Sequence, residues 1–438
     1  MKPAISYEQW ALSFLRDTLR EGSKLIAHSS NKFIMQKTLL LFVLTLGFVS
    51  LNAQVETGHA LSLPKKQKTL EALRQTNDYF MNKWADVGKP IFAITTSKPK
   101  GAKWPSNIWT RAIYYEGLMG LYKIDKQKRY YDYAVSWGEA HKWGLRHGPI
   151  VRNADDQCCA QTYLDLYLID KKPERIKDIK ASIDNMISDV GLRLSDTSRL
   201  PKSRIQNPKS DDWSWVDALQ MAMPVFARLG VMNDDNRYYE KMYAMYSVTK
   251  NQFGTNGLYN SEDGLWWRDK SFVPPYKTPS GKNSYWSRGN GWVVTAMVRT
   301  LEIIPKNAPH RAEYLDMYRT MCKALLPLQR TDGFWNPSLV DSTDYGGKEL
   351  TGTSLFVYGM AWGLNNGILD KKTYSPAVIK AWNALLNECV HTDGKLGYVQ
   401  STGKEPKEGQ PVTFDKIPDF EDFGLGCFLL AGSEVYKL

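Results

Sequence analysis

EDGLWW at residues 262–267 returns as TDGFWN at 331–336 and as TDGKLGYV at 392–399. The three glycines, Gly264, Gly333 and Gly394, stand 69 and 61 residues apart. Around the phrases, apolar residues recur at three- and four-residue intervals and sustained alternation is scarce, so helix dominates from Leu70 onward. A turn phrase repeated at this scale between helical segments marks a solenoid or a closed ring.

The spacing predicts helices over 70–84, 109–124, 129–144, 156–170, 174–190 and 213–229, then 236–250, 290–303, 310–329, 351–366, 373–389 and 420–432. Turn signals such as DKQKR after 124, DKKPER after 169, NDDN after 232 and PKNAP after 304 punctuate them. Twelve segments make six pairs, with the DG phrases in loops between pairs. An open solenoid needs polar end caps and has a tighter period, whereas a closed ring needs no caps. The expected fold is all-α: six inner helices surrounded by an outer six. Its central cavity would be lined by inner-helix N-termini and pair-to-pair loops, where function concentrates on a rigid scaffold. The alternative is an irregular helical domain.

A chain of 438 residues can bury a large core. MQKTLLLFVLTLGFVSLNAQ, from Met35, reads as a secretory leader: one lysine, an apolar run from Leu39 to Leu51 and small residues approaching Ala53. That run is short for a membrane span. Residues 1–34 are therefore expected to be an over-long start, 35–53 a signal peptide and 54–438 one catalytic domain, periplasmic or secreted, with no stable membrane span after cleavage.

Residues 1–53 carry six basic and three acidic groups, so the +11 net charge falls to +8 without them. The basic residues are scattered, with no dense tract, which argues against nucleic acid and fits an acidic small substrate. The five cysteines and six histidines show no metal-ligand spacing, so neither a metal nor another cofactor is expected. Cys158 and Cys159, adjacent in a helical run, read as small buried side chains.

Chemistry concentrates in three places. RNADDQCCAQTYLDLY and PKSDDWSWVDALQMAMP put acids at helix starts, where Asp155, Asp211 and Asp212 have a ready capping account. Asp217 has none: it sits among Trp213, Trp215 and Val216, where desolvation favours the protonated form a general acid needs. YWSRGNGWV, from Tyr285, offers Arg288 as a two-pronged carboxylate reader between the flat faces of Trp286 and Trp292. ELTGTSLFVYGMAW offers Thr351, Thr353 and Ser354, whose first reading is helix capping.

Taken together, DDWSWVDALQMAMP, DGLWWRD, YWSRGNGWVVTAM, TDGFW and ELTGTSLFVYGMAWGL resemble the unsaturated rhamnogalacturonyl and glucuronyl hydrolases of glycoside hydrolase family 105, related to family 88. The likeness spans roughly 75–433. It implies a six-hairpin (α/α)6 toroid that removes the terminal 4,5-unsaturated uronic acid left by a polysaccharide lyase. In that family an Asp protonates C4 of the enol ether, water adds at C5, and the hemiketal opens and expels the aglycone. The resemblance places the acid/base on Asp217 and the second functional acid in the DD pair, on Asp156, with Asp155 beside it. Arg288, Trp286 and Trp292 fall on substrate-contacting positions, with Trp213, Trp267 and Arg268 as further contacts. Some members carry His where this chain has Arg268; Arg cannot shuttle a proton near neutrality, so Arg268 is expected to read a charged or hydroxylated neighbour.

The expected partner is an acidic oligosaccharide from a lyase, bound by a monomer or homodimer. Rival readings are an inverting glycosidase using Asp156 and Asp217 about 6.5–9.5 Å apart, a non-catalytic acidic-sugar binder, and a polysaccharide lyase.

Overall fold

The computed structural model describes residues 62–92, 103–188, 213–252 and 256–438. The readings on residues 1–53 and on Asp211 and Asp212 lie outside them.

Six inner helices form a closed ring. α2 (Trp109–Ile124), α4 (Ala154–Gln157) with α5 (Ala160–Asp170), α7 (Asp217–Asn233), α9 (Ser287–Ile303), α11 (Leu350–Asn365) and α13 (Asp422–Val435) each pack against the next, and α13 returns to α2. Outside them lie α3 (Lys128–Ala140) on α2, α8 (Asn236–Asn251) on α7, α10 (Arg311–Leu325) on α9 and α12 (Lys371–Glu388) on α11. α6 (Lys177–Ser188) follows α5 through a 3-10 turn at Pro173–Ile176 and packs on α8. α1 (Lys66–Lys83) packs on α13, so the sixth pair joins two distant segments. This is the expected six-hairpin toroid. Two short antiparallel ribbons, β1 (Ile91–Phe92) with β2 (Lys103–Trp104) and β3 (Tyr259–Asn260) with β4 (Leu265–Trp266), belong to the loops.

The two layers follow from composition. Every residue from Ser287 to Leu301, from Leu350 to Leu364 and from Asp422 to Val435 is buried, as in helices covered on all sides. Outer α3 instead buries the single stripe Tyr130, Ala134 and Trp137. At the closing seam, Gly117 and Gly426 let α2 and α13 touch backbone to backbone: a Cβ on Gly426 would lie 2.2 Å from the Ile113 carbonyl oxygen. The buried Arg111–Asp422 ion pair at 3.1 Å joins the same helices, and the Arg111 guanidinium lies 4.4 Å from the Trp84 ring just beyond α1. Inside the ring, one helical turn beyond Asp217, Gln220 donates to Glu116 at 2.8 Å. Gln161 donates to the Gln220 carbonyl at 2.7 Å and accepts from Arg299 at 2.8 Å. Four inner helices thus meet through a chain of hydrogen-bonded polar groups inside the ring.

The repeated phrase has one structural job. Gly264, Gly333 and Gly394 all have positive φ, +67°, +95° and +93°, and each docks on the outer helix of the following pair, α10, α12 and α1 respectively. The following tryptophans are tied to the inner helix: Trp266 N–H donates to Asn290 Oδ1 at 2.9 Å and Trp335 N–H to Thr353 Oγ1 at 3.1 Å.

Several helix boundaries and one cap differ from the sequence reading. The helix expected over 156–170 is interrupted after Gln157, where Gln161 N–H bonds back only three residues, to Cys158. The segment expected to run to 144 stops at Ala140, because Lys142 and Trp143 turn left-handed and Trp143 folds back over Gly138. Helix α11 is capped by Glu349, whose carboxylate accepts from Thr351 and Gly352 N–H at 2.8 and 2.7 Å. The Thr351 hydroxyl donates to that carboxylate, so the neighbouring hydroxyls expected to cap are not the cap. All five cysteines are buried thiols.

Candidate active site

The inner helices begin around a cavity of about 370 Å³. Its polar wall holds Asp155, Asp217, Arg268 and Arg146; its flat walls are Trp104, Trp109, Trp215 and Phe420; and one side is closed by Thr402, Gly403 and Glu408.

Asp217 is the first residue of α7, where a carboxylate is favoured by the helix dipole. Its Oδ2 accepts from Arg268 Nε at 3.0 Å, while Arg268 Nη1 reaches Asp269 at 2.8 Å. Backbone pairing holds this geometry: Val216 N–H donates to the Arg268 carbonyl, and Trp215 bridges Asp269. Arg268 therefore arrives as the residue next after the Trp266–Trp267 pair, with its guanidinium in the cavity.

Asp155 enters from α4, with its N–H capped by Asn153 at 2.9 Å. Burial, reinforced by the nearby Asp217 carboxylate and opposed by Arg268, pushes its carboxyl up to about 7. One cavity therefore holds a carboxyl that keeps its proton to neutrality and a second that is ion-paired to arginine. The charge of each carboxyl bears on the other, so the two titrate as a coupled pair.

The choice of Asp156 over Asp155 is corrected. Asp156 points away from the cavity wall, its Oδ2 2.5 Å from His147 Nδ1 and its Oδ1 4.0 Å from Arg146 Nε. It braces the turn that presents Arg146. Arg288 is corrected too: it is buried and does not line the cavity. Its guanidinium donates to the carbonyls of Gln400 at 2.8 Å and Ser401 at 2.6 Å, between the rings of Trp286 and Phe423. Trp286 Nε1 donates to Gln400 Oε1 at 2.9 Å. Together they fasten the base of the loop that carries Thr402, Gly403 and Glu408 into the cavity, which Thr402 N–H also anchors through Asp419 at 2.7 Å.

Trp213, Trp267 and Trp292 are likewise packed outside the cavity lining. Trp213 packs at 5.8 Å on Phe226, Trp267 at 5.6 Å on Tyr285, and Trp292 lies wholly inside α9's packing. Closing a double ring consumes large apolar side chains between its layers, and these tryptophans supply them. The sequence reading did not select Trp104, Trp109, Phe420, Arg146 or Glu408. Trp109 opens an inner helix and Phe420 shortly precedes one, the one available signal. Among the described residues no cluster of His, Cys, Asp and Glu could hold a metal, and no helix is long and apolar enough to cross a membrane.

A carboxyl that burial pushes up to about 7 and a second paired with an arginine, in an aromatic, sugar-sized cavity, are the equipment of glycoside chemistry. The chain belongs to glycosyl hydrolase family 88, whose profile matches residues 73–438. It is 32% identical over 354 residues to an unsaturated 3S-rhamnoglycuronyl hydrolase of Formosa agariphila, covering 80% of this chain and 87% of that one. Among solved structures it is similar to a family 88 glycosyl hydrolase from Bacteroides vulgatus, with TM-score 0.72, 30% identity, and 86% and 100% of the two chains covered. It is also similar to a structure described as a polysaccharide lyase, with TM-score 0.71, 28% identity and coverage of 85% and 97%.

Proposed function

We propose that this enzyme removes a terminal 4,5-unsaturated uronic acid from lyase-generated fragments by hydrating the C4–C5 double bond. The carrying observation is the pair of carboxyls facing one cavity, Asp155 holding its proton to about 7 and Asp217 fixed by Arg268. The pair delivers a proton to C4, which leaves positive charge shared between C5 and the ring oxygen. Water adds at C5, and its surplus proton returns to the carboxyl pair, which gave one up at C4. The C5 hemiketal opens to a ketone, leaving at C1 a hemiacetal that expels the aglycone hydroxyl. Arg268 and Arg146 are the cations available to the substrate carboxylate, and Trp104, Trp109 and Trp215 offer flat faces to sugar rings.

The name of the Formosa relative supports a uronyl–rhamnose linkage for this chain as well. The likeness to a lyase supports a second reading, in which the carboxyl pair abstracts a proton and creates the double bond. The two readings move ultraviolet absorbance in opposite directions. Decay of the unsaturated chromophore with release of rhamnose-terminated product supports hydration; growth of absorbance on intact polysaccharide overturns it. We also propose that translation starts at Met35 and that export removes residues 35–53 by cleavage after Ala53; an N-terminal sequence of the secreted protein that retains Tyr7 or Trp10 would contradict that start and cleavage.

A further inference from the structure

Two loops on the cavity end of the ring are locked together for no reason that the carboxyl chemistry supplies. The loop after Asp269 carries Tyr276, and the loop before α11 carries Tyr345. Both rings are exposed, at 40% and 42%, in a molecule whose large side chains are mostly interior. Beneath them Asp341, fully buried, accepts from Thr278 Oγ1 at 2.6 Å and from Ser280 on the first loop, and from Thr343 at 2.6 Å on its own. These bonds hold its carboxyl well below the usual range, so the clasp is a permanent anion at neutral pH. The loops cannot drift apart without stranding it.

The platform is continuous with the cavity. Gly403 lines the cavity, and the next residue, Lys404, places Nζ 5.8 Å from the centroid of Phe272. Phe272 in turn supports Tyr276 edge-on at 5.4 Å. Tyr276 lies within electrostatic reach of Tyr345, Asp344 and Glu405, and Glu405 is paired with Lys407 at 2.8 Å.

We propose that Tyr276 and Tyr345 form a second sugar-binding platform, which takes a neutral ring of the oligosaccharide farther out than the first sugar beyond the scissile linkage, one that a disaccharide lacks. Tyrosine is suited to this: its face covers sugar C–H groups and its hydroxyl stays wet. Asp344 and Glu405, offset by Lys404 and Lys407, leave the patch without the net positive charge that would select a second uronate. The inference rests on the hydrolase reading for the identity of the chain it holds, and on the exposed rings and the buried clasp for the site itself.

The test compares unsaturated disaccharide with unsaturated tetrasaccharide from one lyase digest, using the full chain and the variant Tyr276→Ala/Tyr345→Ala. The expected result is that kcat/KM for the tetrasaccharide falls about 3–10-fold through KM, the disaccharide value stays within about twofold, and Tyr276→Phe/Tyr345→Phe keeps most of the tetrasaccharide rate. An unchanged tetrasaccharide KM, or an equal loss on both substrates, overturns the platform. If the unaltered protein turns over neither substrate, the hydrolase reading falls. Calorimetric titration of the tetrasaccharide then still decides the platform: weaker binding by the double variant sustains it, and equal binding overturns it.

Discussion

Arg268 Nε and Asp217 Oδ2 are 3.0 Å apart at the first turn of an inner helix, and the same guanidinium reaches Asp269 at 2.8 Å. The cation is shared between Asp269, which lies outside the cavity lining, and Asp217, which is part of it. Removing it should disturb catalysis more than folding: Arg268→Ala should lower kcat/KM by about 10²-fold or more, and Arg268→Lys should restore part, since an ammonium lacks the fork. Steady-state rates and thermal unfolding of the two variants check this.

Asp217→Asn keeps size but cannot exchange protons, so kcat should fall about 10²–10⁴-fold with little change in KM. Retention of a tenth of the original kcat would remove Asp217 from the acid-base pair. Loss of the chromophore in single-turnover mixing separates chemistry from binding.

Asp155 links activity to stability through pH. Its carboxyl titrates near 3.8 in the unfolded chain and near 7 when folded, so in that window the folded state holds the extra proton. Stability from this group therefore falls as pH rises from about 4 to about 7 and stays low above. Asp155→Asn should be more heat-stable than the natural protein at pH 8, by roughly 1–3 kcal/mol since the cavity admits water, and no more stable at pH 4. The natural enzyme's kcat/KM should decline above about pH 7, and the variant should be nearly inactive throughout. Denaturant titrations at the two pH values and a rate profile test both halves.

Arg288→Ala should destabilise by roughly 2–4 kcal/mol, because two loop carbonyls lose a charged donor inside the protein. KM should rise as the loop bearing Thr402 and Glu408 loosens. A direct grip on the uronate would instead raise KM with unfolding unchanged, so measuring both distinguishes the roles.

Gly426→Ala places a Cβ where 2.2 Å separates it from the Ile113 carbonyl oxygen. Overpacking should cost about 1–3 kcal/mol or more, read as a lowered Tm; an unchanged Tm would mean that the seam yields freely.

The ring itself was legible because it rests on local signals: 3.6-residue spacing, turn chemistry, and a DG phrase whose glycines share a left-handed conformation. The place of Asp217 at the cavity was legible for a similar reason, as an acid beside tryptophans at a helix start, but its arginine partner 51 residues on was not. Asp155 and Asp156 were not separable, since they are about 100° apart on a four-residue helix with no phase of its own to read. Arg288 misled because its partners are backbone carbonyls 112 and 113 residues away. No side-chain pattern announces a carbonyl. The cavity walls Trp104 and Phe420 come from opposite ends of the domain and meet only through closure of the ring.

That closure waits on α13, which packs against α2 and takes as its outer partner α1, a segment more than 300 residues away in the chain. The sixth hairpin has no turn of its own, so a growing chain cannot finish the ring until its last helix has left the ribosome. Until then five hairpins expose the apolar flanks of α2 and α11, surfaces that call for chaperone protection. A circular permutant that joins residue 438 to residue 62 and opens the loop between another pair would give the sixth hairpin a covalent turn, and would move the vulnerable stage of synthesis to a different hairpin.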